Sequence, residues 1–183
     1  MTQELILVRH AQTLGQGEAD DLTAAGHLAA EALVPVLMEM GGDAVYSSPY
    51  LRAVNTARPL AARLQRVVQI GEDLRERVLS PVSLTDWRAH QRHSFVVPAF
   101  ALAGGESMEQ ARKRGLSALA AISVAGHACP VLVLHGNLIA SLLAGIAGRF
   151  GFEDWAQMAN PDVFILTLKN AKPTRWVRPR AVG

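Results

Sequence analysis

The sequence predicts an α/β protein of three layers, in which helices cover both faces of a mostly parallel central sheet. Two apolar runs, residues 5–8 and 131–134, contain no polar residue, which is typical of strands buried on both faces. Segments with helical apolar spacing alternate with these runs and with shorter strand-like stretches. Half of the 183 residues are hydrophobic, which is enough for one well-buried core, so we predict a single domain over residues 1–183.

The first apolar run ends at Arg9 and His10. In an open α/β sheet, ligands bind beyond the carboxyl ends of the strands, so both side chains are expected at the functional edge of the sheet. Arginine presents a planar set of donors that matches phosphate or carboxylate oxygens, and a neighbouring histidine can act as a nucleophile or proton carrier. The pair therefore indicates a site for an oxyanion.

A helix is predicted after the loop that follows this pair. Thr23 can cap it, and its apolar positions recur at helical spacing between residues 28 and 40. Pro35 lies within this pattern and predicts a kink or an early end.

A short strand over residues 44–46 leads into a second predicted helix. Ser48 is placed to cap this helix and Pro49 suits its first position. Arg52 would then lie near the end of the first helical turn, where free backbone amides already favour anions. The helix is predicted to continue to about Leu64.

The stretch between residues 77 and 104 shows no sustained apolar period. We predict an irregular insertion or small cap over the site, of the kind that sets substrate choice. His90 and His93 have a spacing that could present two metal ligands on one helical face, but no cysteine pair or acidic cluster accompanies them. Solvent-exposed histidines are therefore expected there, and no metal site.

The second apolar run repeats the logic of the first, because it ends at His135. Gly136 and Asn137 follow, and the glycine lets the backbone approach a ligand closely. Since the ends of two central parallel strands share one edge of the sheet, His10 and His135 are expected to meet there.

The remaining elements carry no chemical motif. Ser107 and Gln110 form a predicted capping box for a helix that precedes the second apolar run. A helix over residues 138–148 is expected to stop at Gly148, and a strand over residues 163–168 follows it.

Composition narrows the class of partner. The formal net charge is only +2, and the basic residues of the C-terminal stretch 175–180 are too few to predict nucleic-acid binding. No apolar run approaches the ~20 residues that would cross a bilayer, and the start of the chain lacks the features of a secretory signal. We therefore expect a cytoplasmic protein that binds neither membrane nor nucleic acid.

Several motifs together resemble the histidine phosphatase (phosphoglycerate mutase-like) superfamily, branch 1. They occur in the order of that family and span nearly the whole chain. The motifs are Arg9-His10-Ala11-Gln12-Thr13, Ser47-Ser48-Pro49 with Arg52-Ala53 and Thr56-Ala57, Leu74-Arg75-Glu76, Gly104-Gly105-Glu106-Ser107 and His135-Gly136-Asn137. The resemblance implies a phosphoglycerate mutase-like fold and phosphoryl transfer through a phosphohistidine.

The resemblance also implies a role for each candidate residue. His10 would be the nucleophile and Glu76 the proton donor, with His135 as a further catalytic residue. Arg9, Arg52 and His135 would hold the phosphoryl oxygens, since fixed donors aimed at a transferring phosphoryl group stabilise its transition state. Substrate contacts would come from the residues Gln12, Gly136 and Asn137. The implied partner is a small phosphorylated substrate or a phosphate ion, with no cofactor and no metal.

Some positions depart from the family pattern. Ala11 replaces the usual glycine, which a negative φ would tolerate. Ala140 stands where many relatives carry an arginine, and the adjacent arginines of the glycolytic mutases are missing. Between Glu76 and Gly104 the Gly-x-Trp-Glu-Gly pattern of many family phosphatases is missing as well. These two missing patterns leave the substrate unassigned and weigh against a mutase, and the relatively short chain favours a phosphatase. A mutase-type isomerase and a non-catalytic binder of phosphorylated ligands are the alternatives, and the substrate and oligomeric state stay open.

Overall fold

A six-stranded sheet with helices on both faces forms the framework of the computed structural model, which describes residues 2–146 and 150–179. The strands are β1 (Thr2–Arg9), β2 (Ala44–Ser47), β3 (Gln69–Ile70), β4 (Pro130–Leu134), β5 (Asp162–Lys169) and β6 (Lys172–Val177). The helices are α1 (Ala24–Glu39), α2 (Leu51–Leu64), α3 (Trp87–Val96), α4 (Met108–Ser123), α5 (Gly136–Ala144) and α6 (Phe152–Ala156), with a 3-10 turn at Glu72–Leu74.

The strand order is β3-β2-β4-β1-β5-β6. The neighbours β3, β2, β4 and β1 are parallel, β5 pairs antiparallel with both β1 and β6, and thus β5 alone among the described strands runs against the others. The predicted α/β class with a mostly parallel sheet is confirmed.

Alternate residues of β1 face two separate apolar cores. Leu5 and Leu7 are fully buried against residues of α4 and α5 on one face. Ile6 and Val8 are buried against α1 and α2 on the other. Both faces of β1 exclude water, so a polar side chain on either face would lose its hydrogen bonds to water. This burial explains why the run contains no polar residue.

The register of the parallel strands brings three strand ends to one edge. Arg9 lies opposite Leu134 in the β1–β4 pair, and Ser47 lies opposite Val133 in the β2–β4 pair. The backbone amide of His10 donates to the Leu134 carbonyl at 3.0 Å, which continues the ladder by one residue. The segments after β1, β2 and β4 therefore leave the sheet side by side.

The predicted helices form, with differences at their ends. Thr23 caps α1 as predicted, accepting from the Gly26 amide at 2.9 Å, but the helix runs through Pro35 to Glu39 and so does not end early. The second helix begins at Leu51, two residues later than predicted, because the Ser48 hydroxyl accepts the amide of Tyr50.

The C-terminal half differs from prediction mainly in the length of one helix. The capping box of α4 forms between Ser107 and Gln110 as predicted. Helix α5 ends at Ala144, and the expected stop at Gly148 lies outside the described residues.

The expectation of an irregular stretch between residues 77 and 104 is corrected by helix α3. Ten residues, Trp87–Val96, are helical, and this helix packs on α6 through the ring pairs Trp87–Trp155 and Phe95–Phe152. Only two of its residues, Gln91 and Ser94, are buried. The weak apolar period of the sequence follows from that, since polar residues form most of the buried side of α3.

Helices long and apolar enough to cross a membrane do not occur within residues 2–146 and 150–179.

Candidate active site

A cavity of about 670 Å³ opens at the carboxyl ends of β1, β2 and β4. Its lining includes Arg9, Arg52, Glu76, Gly136 and Asn137, all of which are predicted site residues. The imidazoles of His10 and His135 lie beneath this lining, with only 5% and 0% of their surface exposed. Their ring centroids are 5.1 Å apart, so the two histidines do meet at the sheet edge as predicted.

The hydrogen bonds of His10 fix which of its nitrogens can react. Its Nδ1 lies 2.8 Å from the carbonyl oxygen of Ala11, and since a carbonyl can only accept, Nδ1 carries the hydrogen. Nε2 therefore has a free lone pair, which accepts from Arg52 Nε at 3.2 Å. Burial, and then the charges of Arg52 and Arg9, lower the pKa of His10 to about 4, against the opposing bond to Ala11. The imidazole is neutral near pH 7.

Arg52 is held over His10 by the loop that precedes α1. It is 1% exposed, and its Nη1 donates to the carbonyl oxygens of Gln16 at 3.3 Å and Gly17 at 2.6 Å. The Tyr50 ring lies under the guanidinium, 4.8 Å from its central carbon. The second residue of α2 thus presents a fixed cation to the His10 Nε2.

Ser48 determines the orientation of the second histidine. His135 Nε2 lies 2.7 Å from the Ser48 hydroxyl, which already accepts the amide of Tyr50 at 3.2 Å. The Ser48 hydroxyl can donate its own hydrogen to Nε2. In that tautomer the ring hydrogen is on His135 Nδ1, which is buried and without a partner among the described residues. Burial lowers the pKa of His135 well below its usual value, so this ring is also neutral.

Arg9 is anchored by the chain that precedes β5. Its Nη1 donates to the carbonyl of Met158 at 2.8 Å, while its Nε is buried without a partner in the described part of the chain. The guanidinium packs against Gly136, where a Cβ atom would lie 3.2 Å from Arg9 Nε. The glycine after His135 thus gives Arg9 room that a larger residue would reduce.

Glu76 is enclosed by backbone amides at the start of α5. Its Oε1 accepts from the amides of Arg77 at 2.8 Å and Leu138 at 3.0 Å, and its Oε2 from Asn137 at 3.2 Å. Burial raises the pKa of Glu76, although these three amides and Arg52 favour the ionised form. The carboxyl group can therefore hold a proton at a higher pH than an exposed glutamate.

Glu106 and Arg114 hold the segment that carries Glu76. The Arg114 guanidinium binds both carboxylate oxygens of Glu106 at 2.7 and 2.8 Å and donates to the carbonyls of Asp73 and Arg75. A Cβ atom at Gly105 would lie 2.3 Å from the Leu79 carbonyl, so only glycine permits this close packing. The Gly-Gly-Glu-Ser motif thus fixes the position of the Leu-Arg-Glu motif.

Gln12 is the predicted site residue that is neither in the cavity lining nor buried beside it, as His10 and His135 are. Its side chain is exposed and accepts the hydroxyl hydrogen of Thr23 at 3.1 Å, which directs it toward the start of α1. Gln16, four residues later, lines the cavity in its place. Gly136 and Asn137, the other two predicted substrate contacts, both line the cavity.

Sequence reasoning also missed residues that support the site from a distance. Asn160 donates to the His10 carbonyl at 2.8 Å, and the Thr56 hydroxyl accepts from the Ala11 amide at 3.0 Å. The Ser48 and Thr56 positions belong to the family motif, which could have drawn attention to them, whereas Asn160 carries no such signal. Among the described residues, the non-glycine residues that have a positive φ angle do not include Ala11. Its backbone conformation therefore tolerates alanine, as expected.

Groups of three or more histidine, cysteine, aspartate or glutamate side chains that could hold a metal are missing from the described ranges. His90 pairs with Asp86 at 3.2 Å and stacks on Phe100, while His93 is exposed and meets the same ring edge-on. The two histidines thus contact Asp86 and Phe100 at the surface of the protein.

The lowered pKa of His10 makes folding stability depend on pH. Between pH 6.5 and about 4 the unfolded chain binds a proton at His10 that the folded protein does not, so the free energy of unfolding falls as the pH falls. This group alone accounts for about 3 kcal/mol over that range. Urea unfolding of His10→Asn should therefore show a shallower fall than the unsubstituted protein, and identical pH slopes would contradict the buried, neutral imidazole.

Comparison with known proteins agrees with the geometry. A curated glucosyl-3-phosphoglycerate phosphatase of Mycolicibacterium vanbaalenii is 30% identical over 194 residues, covering 86% of this chain and 84% of that protein. A protein of Hydrogenobacter thermophilus, provisionally named phosphoserine phosphatase 2, is 28% identical, with 94% and 93% covered. The solved complex of a mycobacterial glucosyl-3-phosphoglycerate phosphatase with inorganic phosphate has a TM-score of 0.78 at 26% identity, covering 96% of this chain and 95% of that one.

A family model gives the assignment. The model described as histidine phosphatase superfamily (branch 1) matches residues 5–177, a range that contains all five motifs and every candidate site residue. The chain therefore belongs to the histidine phosphatase superfamily.

Proposed function

We propose that this protein is a phosphomonoester hydrolase that acts through a phosphohistidine on His10. The observation that carries the proposal is the state of the His10 imidazole. Its Nδ1 hydrogen is held by the Ala11 carbonyl, so the Nε2 lone pair faces the Arg52 guanidinium at 3.2 Å. A neutral nitrogen nucleophile beside a fixed cation is what attack on an anionic phosphoryl group requires.

In the first step, His10 Nε2 forms a bond to phosphorus while the ester P–O bond breaks. The hydrogen bond from Arg52 to Nε2 must be exchanged for one to a phosphoryl oxygen as the substrate enters. Arg9 Nε and His135 Nδ1, buried donors without partners among the described residues, supply further hydrogen bonds to the phosphoryl oxygens. Glu76 donates its proton to the departing alkoxide, in accord with its raised pKa.

In the second step, water attacks the phosphorus of the phosphohistidine. The N–P bond breaks, the electron pair returns to His10 Nε2, and Glu76 accepts a proton from the attacking water. Phosphate leaves, and both residues regain their starting protonation states. The low pKa of His10, about 4, favours this step because the leaving imidazole needs no proton of its own.

The substrate class proposed is a small phosphate monoester whose alcohol portion is neutral or acidic. Three arginines, Arg9, Arg52 and Arg77, line the cavity together with a single carboxylate, Glu76. A cationic alcohol portion would be repelled by this excess of positive charge. The relatives' names, glucosyl-3-phosphoglycerate phosphatase and phosphoserine phosphatase, refer to esters that carry a carboxylate, which in phosphoserine balances an ammonium group, so neither alcohol portion has a net positive charge. We further propose that the protein is cytoplasmic, has a single domain and requires no metal.

Trapping of the covalent intermediate tests the proposal. Mixing enzyme with radiolabelled phenyl phosphate in the presence of EDTA, followed by a rapid alkaline quench, should leave label on the peptide that contains His10. The label should be stable in alkali and lost in acid, as for a phosphoramidate. Turnover without labelled protein, or loss of turnover with EDTA, would contradict the mechanism. Phosphoglycerate interconversion that depends on a bisphosphorylated primer would indicate a mutase instead.

A further inference from the structure

Helix α3 reaches the active site through one buried polar chain. Arg77, Gln91 and Ser94 are 2%, 1% and 0% exposed, respectively, and their hydrogen bonds connect α3 with the start of α5. Arg77 Nη2 donates to the Ser94 hydroxyl at 2.9 Å and Nη1 to Gln91 Oε1 at 3.3 Å. Gln91 Nε2 then donates to Asn137 Oδ1 at 2.7 Å. Arg77, Gln91 and Asn137 all line the cavity, and Asn137 is the end of this hydrogen-bonded series.

The direction of every hydrogen bond in this chain is fixed by Arg77. A guanidinium can only donate, so the Gln91 atom that faces it must be the amide oxygen. The other Gln91 atom is then the NH₂ group, which must donate to the Asn137 oxygen. Asn137 consequently turns its own NH₂ group away from Gln91. A free asparagine would have no such preference between its two orientations.

The Asn137 NH₂ group is left as a donor for the substrate. Its nitrogen makes no hydrogen bond to another described residue, and it is not one of the buried atoms that lack a partner. The nitrogen is therefore accessible from the cavity. Asn137 is half-buried and its backbone amide contacts Glu76 Oε2 at 3.2 Å. Asn137 therefore lines the cavity and contacts the proposed proton donor through its backbone.

We propose that Gln91 and Arg77 are positioning residues that orient Asn137 as a hydrogen-bond donor to an oxygen of the substrate's alcohol portion. This inference rests on the proposed phosphatase function and names part of its specificity. The favoured leaving groups are those with a hydroxyl or carboxylate oxygen beyond the ester oxygen. Helix α3 thereby contributes to substrate choice through its buried side, although it presents few residues directly to the cavity.

The decisive variant is Gln91→Glu. A carboxylate at this position accepts from Arg77 and also accepts from Asn137, so the Asn137 amide must turn around and present its oxygen to the substrate. With 3-phosphoglycerate as substrate, the KM should rise about tenfold, which is the effect of one lost hydrogen bond. If 3-phosphoglycerate is turned over slowly, it can be measured as an inhibitor of phenyl phosphate hydrolysis, and its Ki should rise by the same factor. The kcat should change much less. Phenyl phosphate, whose alcohol portion has no further oxygen, should keep its KM.

Two controls separate orientation from added charge. In the Asn137→Ala background, Gln91→Glu should have little further effect on the KM measured with 3-phosphoglycerate, since no amide remains to be turned. Ala89→Glu places a carboxylate on the exposed side of the same helix and should leave the KM for both substrates unchanged. Equal effects of Gln91→Glu with and without Asn137 would overturn the inference.

Inorganic phosphate distinguishes the alcohol portion from the phosphoryl group as the acceptor. Its Ki should be the same for the unsubstituted enzyme and for Gln91→Glu, and a parallel rise would overturn the assignment to the alcohol portion. Failure of the phosphohistidine mechanism would be recognised separately, because His10→Ala would then retain turnover whatever the result at Gln91. The outcomes of the two proposals are therefore distinguishable.

Discussion

Replacing His10 with alanine is expected to lower kcat/KM by about a thousandfold or more, since removal of a nucleophile leaves only the surrounding charge stabilisation. No other described nitrogen combines a free lone pair with the position 3.2 Å from Arg52 Nε. The loss should fall mainly on kcat, because Arg9, Arg52 and His135 still bind the phosphoryl oxygens. Steady-state kinetics with phenyl phosphate provide the measurement.

His127→Ala is the matched control for this variant. His127 lies in the loop before β4, at the opposite end of that strand from the site, and its ring contacts Tyr46 at 6.0 Å between centroids. Its removal should leave kcat/KM within about twofold of the unsubstituted enzyme, as for a distant independent site. Activity of His10→Ala close to that of this control would show that another residue attacks phosphorus.

The sheet and the meeting of the two histidines were predictable because both depend on strong local signals. An unbroken apolar run must be buried on both faces, and the ends of adjacent parallel strands must share an edge. These two rules bring His10 and His135, 125 positions apart in the chain, to a centroid separation of 5.1 Å. The start of α2 was predicted two residues early, because Ser48 accepts the amide of Tyr50 ahead of the helix while it also contacts His135.

Contacts between distant segments were not predictable in the same way. Gln12 is only two residues after His10, yet Thr23 holds its side chain outside the cavity. Asn160 supports the His10 carbonyl from a turn 150 positions away, and nothing in its local sequence indicates that role. Helix α3 was missed because its buried side consists of Gln91 and Ser94, which satisfy Arg77 instead of filling an apolar core. Polar burial of this kind leaves no hydrophobic period.

Replacing Arg52 with alanine is expected to lower kcat/KM by about 10² to 10³, the cost of removing one preorganised donor from a site of charge development. Arg52→Lys should recover only part of the loss, since an ammonium keeps the charge but lacks the planar set of donors. Arg63→Ala removes an exposed arginine from the same helix and is the matched control. Its activity should be unchanged.

The pH profile shows whether Arg52 acts directly on His10. Burial is the main cause of the lowered pKa of His10, about 4, and the Arg52 charge lowers it further, so Arg52→Ala should raise that pKa. Because the protonated imidazole has no lone pair for attack, the acid limb of kcat/KM should move to higher pH in this variant. Arg63→Ala should leave the limb in place. A purely structural role for Arg52 would lower activity at every pH without moving the limb, and the assignment of Arg52 to the reacting nitrogen would then fail.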